Sequence, residues 1–107
     1  MDGVFKAISD PTRREILLLL RERDITAGEI ARHFKLSKPT MTSHFGVLRH
    51  AGLIRGEKSG TRVTFSHNLA LLKNTLVNFV EDLRIDMMRD AKPLPSEPNS
   101  LETKLGS

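Results

Sequence analysis

Apolar residues recur at helical steps over much of this chain and at alternating steps in one short region. In residues 2–9, Val4, Phe5 and Ile8 fall on one side, which predicts a short first helix. Asp10-Pro11 then signals a second. Asp can cap free N–H groups, and Pro at the first helical position gives up no needed hydrogen bond. This helix is expected to reach about Glu22, with Ile16, Leu17 and Leu20 as its core face. Thr26-Ala27-Gly28-Glu29 fits a capping box and opens a third helix over about 27–34, burying Ile30 and Phe34. Lys35-Leu36 leaves a tight link before Ser37, the expected cap of a fourth helix. Met41, Phe45 and Leu48 share one face of that helix, which runs to about His50 and is ended by Gly52.

The period then changes. LIRGEK at 53–58 and TRVTFS at 61–66 flank Ser59-Gly60, a two-residue link containing Gly, which is a hairpin signal. In the second run Val63 and Phe65 alternate with Arg62 and Thr64, so one face packs and the other meets solvent. From Leu69 to about Arg89 the helical period returns. Leu69, Leu72, Leu76, Phe79 and Leu83 form one row, and Val77, Val80 and Met88 a second. Together they offer more apolar surface than one small domain face needs. Beyond Ala91 the pattern stops, and prolines sit among Ser, Asn and charged residues. The expected organisation is one domain over residues 1–90 and a disordered tail over 91–107.

The fourth helix has an unusual outer face. Opposite its apolar row it carries short hydroxyl side chains, and it begins with Lys-Pro. Two short helices joined by a tight link, the second followed by a hairpin, make a winged helix-turn-helix, in which the second helix enters the major groove of DNA. Such a helix needs an apolar inner face and an outer face that comes close to base edges. Short side chains permit that approach. Thr40, Thr42 and Ser43 can reach base edges or phosphates, and a Thr methyl can touch a thymine methyl. Lys38 adds phosphate attraction at the helix end whose free N–H groups already favour anions. Pro39 fits the first turn, where its missing N–H costs little. His44, in the middle of the helix, can either donate to DNA or pack at the helix edge. The hairpin is the wing, and Lys58, Ser59, Gly60, Thr61 and Arg62 lie at or near its tip, where they can grip phosphates beside the groove or enter the minor groove.

Charge follows the same map. Residues 1–36 hold seven basic and six acidic side chains, residues 37–66 five and one, and residues 67–107 five and six. The middle third therefore supplies the whole net charge of +4, which suggests a polyanion partner. Cys is absent, which excludes disulfides, thiolate metal sites and thiol redox chemistry, and fits a cytoplasmic protein. Trp and Tyr are absent too, which argues against a stacking platform for single strands. No run is long enough to span a membrane, and the amino terminus lacks a signal-peptide pattern. His33, His50 and His67 have no acidic or His neighbour at ligand spacing. No nucleophile–base pair, phosphate-binding loop or metal cluster is legible, so an enzyme is not expected. A winged helix that binds proteins rather than DNA is the alternative from another class, distinguished by salt-insensitive binding.

These residues resemble the ArsR/SmtB-type winged-helix repressors of prokaryotes. VFKAISDPTRREILLLL, residues 4–20, is similar to that family's first two helices, above all in the Asp10-Pro11-Thr12-Arg13 run. TAGEIARHFKLSKPTMTSHFGVLRHAGLI, residues 26–54, is similar to its helix-turn-helix, and GEKSGTRVTFS to its wing. Where the family pattern reads Ser-x-His-Leu-x-x-Leu, this chain has Thr42, Ser43, His44, Phe45, Gly46, Val47 and Leu48. A hydroxyl stays outside and an apolar group inside. Within the family the chain most resembles the short autorepressor, SdpR-like branch. The resemblance implies a homodimer that represses transcription at double-stranded operator DNA, with Lys38, Pro39, Thr40, Thr42, Ser43 and His44 on the DNA-reading helix. It also implies a dimer interface from the first and last helices, hence Val4, Phe5, Ile8, Leu72, Leu76, Phe79, Val80 and Leu83. Metal sensing does not carry over. The chain has no Cys, and the last helix pairs Asp82 and Asp86 with no His. No cofactor is expected. Relief of repression would come from a small-molecule inducer, a sequestering protein or protein concentration alone, and the residues do not choose.

Overall fold

Capping residues set most of the element boundaries. The computed structural model describes residues 2–84, which belong to two units divided after Leu76. In the first, α1 (Asp2–Ile8) leads to α2 (Pro11–Glu22) through a turn at Ser9-Asp10. The Asp10 carboxylate accepts from the Thr12 and Arg13 N–H groups at 2.7 and 3.2 Å, so the expected cap is made. A two-residue strand, β1 (Ile25–Thr26), precedes α3 (Ala27–His33). The capping box at its start is complete, with the Glu29 N–H donating to the Thr26 hydroxyl and the Thr26 N–H to the Glu29 carboxylate. After a four-residue link, Ser37 caps α4 (Lys38–His50) by accepting from the Thr40 N–H. Gly52, at φ +83°, ends that helix in a left-handed conformation that a side chain would resist.

The hairpin consists of β2 (Ile54–Ser59) and β3 (Arg62–His67). Its link is Gly60-Thr61, one residue later than the sequence suggests, because Ser59 pairs with Arg62 across the strands. Gly60 takes φ +63° at the first turn position, the place a type II′ turn gives to Gly. β1 adds to the other edge of β3, with Ile25 opposite Phe65, so the sheet is three-stranded and antiparallel in the order β1-β3-β2. The sequence predicts only the hairpin. Two residues are too few to show an alternating pattern.

The core collects the predicted faces. Ile16, Leu17 and Leu20 of α2, Ile30 of α3, Met41, Phe45 and Leu48 of α4 and Phe65 of β3 are all buried. Phe45 and Phe65 meet with ring centroids 4.7 Å apart, tilted by 42°. This contact joins the fourth helix directly to the wing strand and is worth about 0.5–1.5 kcal/mol beyond its burial. On α1 the buried residues are Val4 and Ala7, one turn apart. Val4, expected at a subunit interface, is committed instead to the protomer's own core, while Phe5 and Ile8 are half-buried.

The last helix, α5 (Leu69–Asp82), is shorter than its apolar row suggests. Its end is a turn in which Arg84 donates to the Glu81 carbonyl at φ +60°. A left-handed Arg carries none of the Gly or Asn signal that announces such an end. The remainder of the predicted helix, including Asp86 and Met88, and the predicted disordered tail lie outside the described residues. In the second unit, Val77, Phe79 and Leu83 are exposed and Val80 is half-buried.

Candidate nucleic-acid interface

The outer face of α4 is built as its composition suggests. With Met41, Phe45 and Leu48 turned inward, the intervening Lys38, Pro39, Thr40, Thr42 and Ser43 are exposed, and His44 is half-buried. Thr42 and Ser43 make no side-chain hydrogen bond among the described residues, so both hydroxyls are open to an outside partner. Thr40 is partly engaged, because the Ser37 hydroxyl donates to its oxygen at 2.8 Å. That bond belongs to the helix cap and leaves the Thr40 hydroxyl hydrogen available.

The wing tip residues Lys58, Ser59, Gly60, Thr61 and Arg62 are all exposed. Thr61 and Arg62 share one cleft of about 680 Å³ with Lys38, at the amino end of α4, and with Arg32 of α3. Three cations from three elements thus face a common space. Arg32 is not legible as a site residue in the sequence because it sits in the nearly neutral first third of the chain, and its place beside the wing is a product of the fold.

The Glu29 carboxylate, paired with Arg23, lines the same cleft beside Arg32, but ion pairing leaves out the cations of residues 37–66. Among the described residues, the ion pairs are Arg21–Glu22 at 2.8 Å, Arg23–Glu29 at 3.7 Å and His33–Glu15 at 3.7 Å. All lie before Ser37. None of Lys38, Arg49, Arg55, Lys58 and Arg62 has a carboxylate partner among those residues, so the segment's positive charge stays uncompensated and available to phosphates. His33 meets Glu15 between helices, a contact its own neighbours in sequence do not announce. At the start of α5 His67 accepts from the Leu69 N–H, and Asn68, in the capping position, accepts from the Leu71 N–H.

The Asp10-Pro11-Thr12-Arg13 run joins this face to the scaffold. Burial raises the Asp10 carboxyl, but the Arg13 and Thr12 N–H groups, with the Arg13 charge nearby and that of His44 whenever its ring is protonated, outweigh it and hold the group below its ordinary value. The Arg13 guanidinium donates through Nε to the Ala7 carbonyl at 2.7 Å and through Nη2 to the Lys6 carbonyl at 3.1 Å. Arg14 donates to the Ile8 carbonyl at 2.8 Å. The two arginines thereby donate to carbonyls at the end of α1, where the Lys6 carbonyl also accepts from the Ser9 N–H and hydroxyl. Nη1 of Arg13 lies 3.1 Å from Nδ1 of His44, on α4. At the other helix start, hydrogen bonds from the Thr26 N–H and hydroxyl hold the Glu29 carboxyl below its ordinary value, against some desolvation and with help from Arg23 and Arg32.

Among the described residues no three His, Asp or Glu side chains gather closely enough to hold a metal ion, and no helix is long and apolar enough to cross a membrane. A separate groove of about 320 Å³ on the first unit is lined by Ile8, Leu17, Leu18, Leu69, Leu72 and Leu76, with Arg14 and Arg21 at its side.

A capped helix pair, its exposed second helix and a basic hairpin packed against it define a winged helix-turn-helix protein. Residues 10–55 match the bacterial regulatory protein, arsR family. The chain is 46% identical over 83 residues to the transcriptional repressor SdpR of Bacillus subtilis (strain 168), a match covering 75% of this chain and 92% of that protein. Its fold is similar to a crystal structure of an ArsR family transcriptional regulator, with a TM-score of 0.72, 26% identity and coverage of 86% of this chain and 92% of the other. It is similar also to the solution structure of a homodimeric winged helix-turn-helix DNA-binding domain of a possible ArsR-family regulator from Mycobacterium bovis. There the TM-score is 0.62 at 25% identity, covering 76% of this chain and 77% of the other. The chain belongs to the arsR family of bacterial regulatory proteins, transcriptional regulators and not enzymes.

Proposed function

We propose that this protein is a sequence-specific transcriptional repressor that binds double-stranded operator DNA as a homodimer, in the cytoplasm and without metal sensing. The observation that carries this reading is the convergence of Lys38, Thr61 and Arg62 on one cleft, together with the unbonded hydroxyls of Thr42 and Ser43 on α4 and with no carboxylate among the described residues pairing any cation of the segment. α4 lies in the major groove, where Thr42 and Ser43 touch base edges and Lys38, Thr40 and Pro39 follow the backbone. The wing residues Lys58, Ser59, Gly60, Thr61 and Arg62 hold the flanking phosphates.

Pairing of two copies buries the apolar groove and the row along α5. Ile8, Leu72 and Leu76 of the expected interface line that groove, and Leu18 and Leu76 are 52% and 38% exposed. Phe5 lies on the same short helix as Ile8. Phe79, Val80 and Leu83 continue the apolar row of α5 toward its end. Two-fold symmetry then requires an inverted-repeat operator with half-site centres about 34–36 Å apart. The names of the relatives support the same reading, since SdpR is a transcriptional repressor and the M. bovis domain is homodimeric and DNA-binding. Release from the operator would be effected by a small-molecule or protein inducer, or by dilution. Absence of Cys removes thiolate sensing from that choice. A mobility-shift series on duplex DNA, combined with sedimentation of the free protein, tests the proposal. Retention of duplex by a dimer supports it, and a monomer that ignores duplex at low salt refutes it.

A further inference from the structure

Arg13 is 31 residues from His44 in sequence, yet its guanidinium is fixed on the Lys6 and Ala7 carbonyls at one side and reaches the imidazole at the other. A guanidinium has five N–H donors, no acceptor, and stays protonated at any ordinary pH. The ring nitrogen facing it at 3.1 Å must therefore offer a lone pair. Nδ1 of His44 is then unprotonated, and in the neutral ring the proton resides on Nε2. Nε2 has no hydrogen-bond partner among the described residues, and the ring is half-buried.

We infer that Arg13 is a positioning residue for DNA recognition. Anchored on the end of α1, it locks His44 in the Nε2–H tautomer, so that α4 presents a hydrogen-bond donor at this position and never an acceptor. The chemistry recognised is an acceptor on the duplex, either a phosphate oxygen or an acceptor atom on a base edge such as guanine O6 or N7. Without the arginine both tautomers are populated, and the ring spends part of its time facing DNA with a lone pair that repels the same acceptor. This gives Arg13 a role beyond capping α1. The inference rests on α4 facing duplex DNA, as proposed above.

The first test needs no DNA. A long-range proton–nitrogen correlation spectrum of the whole free protein, at a pH where the ring is neutral, should show His44 protonated on Nε2 and bare at Nδ1. Arg13→Lys, which keeps the charge but has a single nitrogen in place of the planar fork that spans the α1 carbonyls and the imidazole, should show a mixture of tautomers. A wild-type ring protonated on Nδ1 overturns the inference. The second test is a double-mutant cycle on a selected duplex. Arg13→Lys should weaken binding about tenfold when His44 is present and less than about twofold in a His44→Ala background. Equal losses in both backgrounds would mean that Arg13 acts directly or through general stability, and would overturn it. Weakening of the same size on every duplex assigns the Nε2–H to a phosphate, whereas a changed preference at one base pair assigns it to a base. A protein with the expected tautomer that binds no duplex defeats the proposed function, and with it the recognition role of His44.

Discussion

At the scale of single residues, side-chain length and free hydrogen-bonding capacity decide what each position on α4 can do. Thr42 and Ser43 are short, exposed and unbonded within the described residues, so the contribution proposed for them is to discrimination. Thr42→Ala or Ser43→Ala should lower the preference for the selected site over a mismatched one by about 1 kcal/mol, while binding to random duplex changes little. A mobility-shift comparison of the two duplexes reads this. Lys58→Ala and Arg62→Ala remove charges and should weaken all duplexes alike, with the slope of log affinity against log salt falling in magnitude by about one for each phosphate left without its cation. Asp10 makes a prediction about pH. Its carboxyl is held below its ordinary value in the folded protein, so the stability it contributes is fully present above the ordinary carboxylate range and is lost as pH falls through the folded value. Asp10→Asn keeps a capping oxygen without the charge. Denaturant unfolding should therefore find the variant less stable near neutral pH and the gap closing as pH falls below the ordinary carboxylate range. The Arg13–His44 pair is the part of the site that the sequence hides most completely. Each residue suits its own helix, and no local period relates positions in separate elements.

At the scale of elements, legibility follows from whether a boundary is marked by chemistry. Asp10, Thr26 with Glu29, Ser37 and Gly52 each mark an end by a cap or a backbone preference, and each does so in the structure. β1 leaves no mark because its two residues pair only through backbone groups with a strand far along the chain. The turn of α5 at Arg84 goes unmarked because a left-handed Arg is stabilised by its surroundings rather than by its own preference. Glycines within and beside α4 have opposite roles, which stability measurements can separate. A Cβ added at Gly46 meets nothing within 4 Å, so Gly46→Ala should stabilise the protein by about 0.5–1 kcal/mol through helix propensity. At Gly52 the added atom lies 3.1 Å from Leu71 Cδ2 on a backbone at φ +83°, so Gly52→Ala should cost about 1–3 kcal/mol. The wing depends on a similar close fit. A Cβ at Gly56 would stand 3.0 Å from the Phe65 ring that packs on Phe45. Crowding there would disturb the ring pair that ties wing to recognition helix.

At the scale of the whole molecule, the sequence's division of charge becomes a division of labour. Residues 37–66 carry an excess of four positive charges, and the fold brings Lys38 of their helix and Arg62 of their hairpin to one cleft, while the ion pairs of the described residues use none of the segment's cations. Leu18 of α2 and Leu76, Val77, Phe79 and Leu83 of α5 are left exposed, where the proposed second copy would cover them. If a dimer neutralises on the order of six phosphates, log affinity should fall with log salt at a slope of about −5, a value that titrations at several salt concentrations measure directly. Symmetry is the feature that joins the two surfaces. If two copies pair as proposed, they hold two α4 helices at a fixed separation, and DNA with matching symmetry engages both. The most direct measurement is selection of bound duplexes from a random pool by the purified protein. Two inverted half-sites with centres about one helical turn apart are expected in the enriched sequences. An enriched single half-site without symmetry, or no enrichment over the starting pool, would contradict the account.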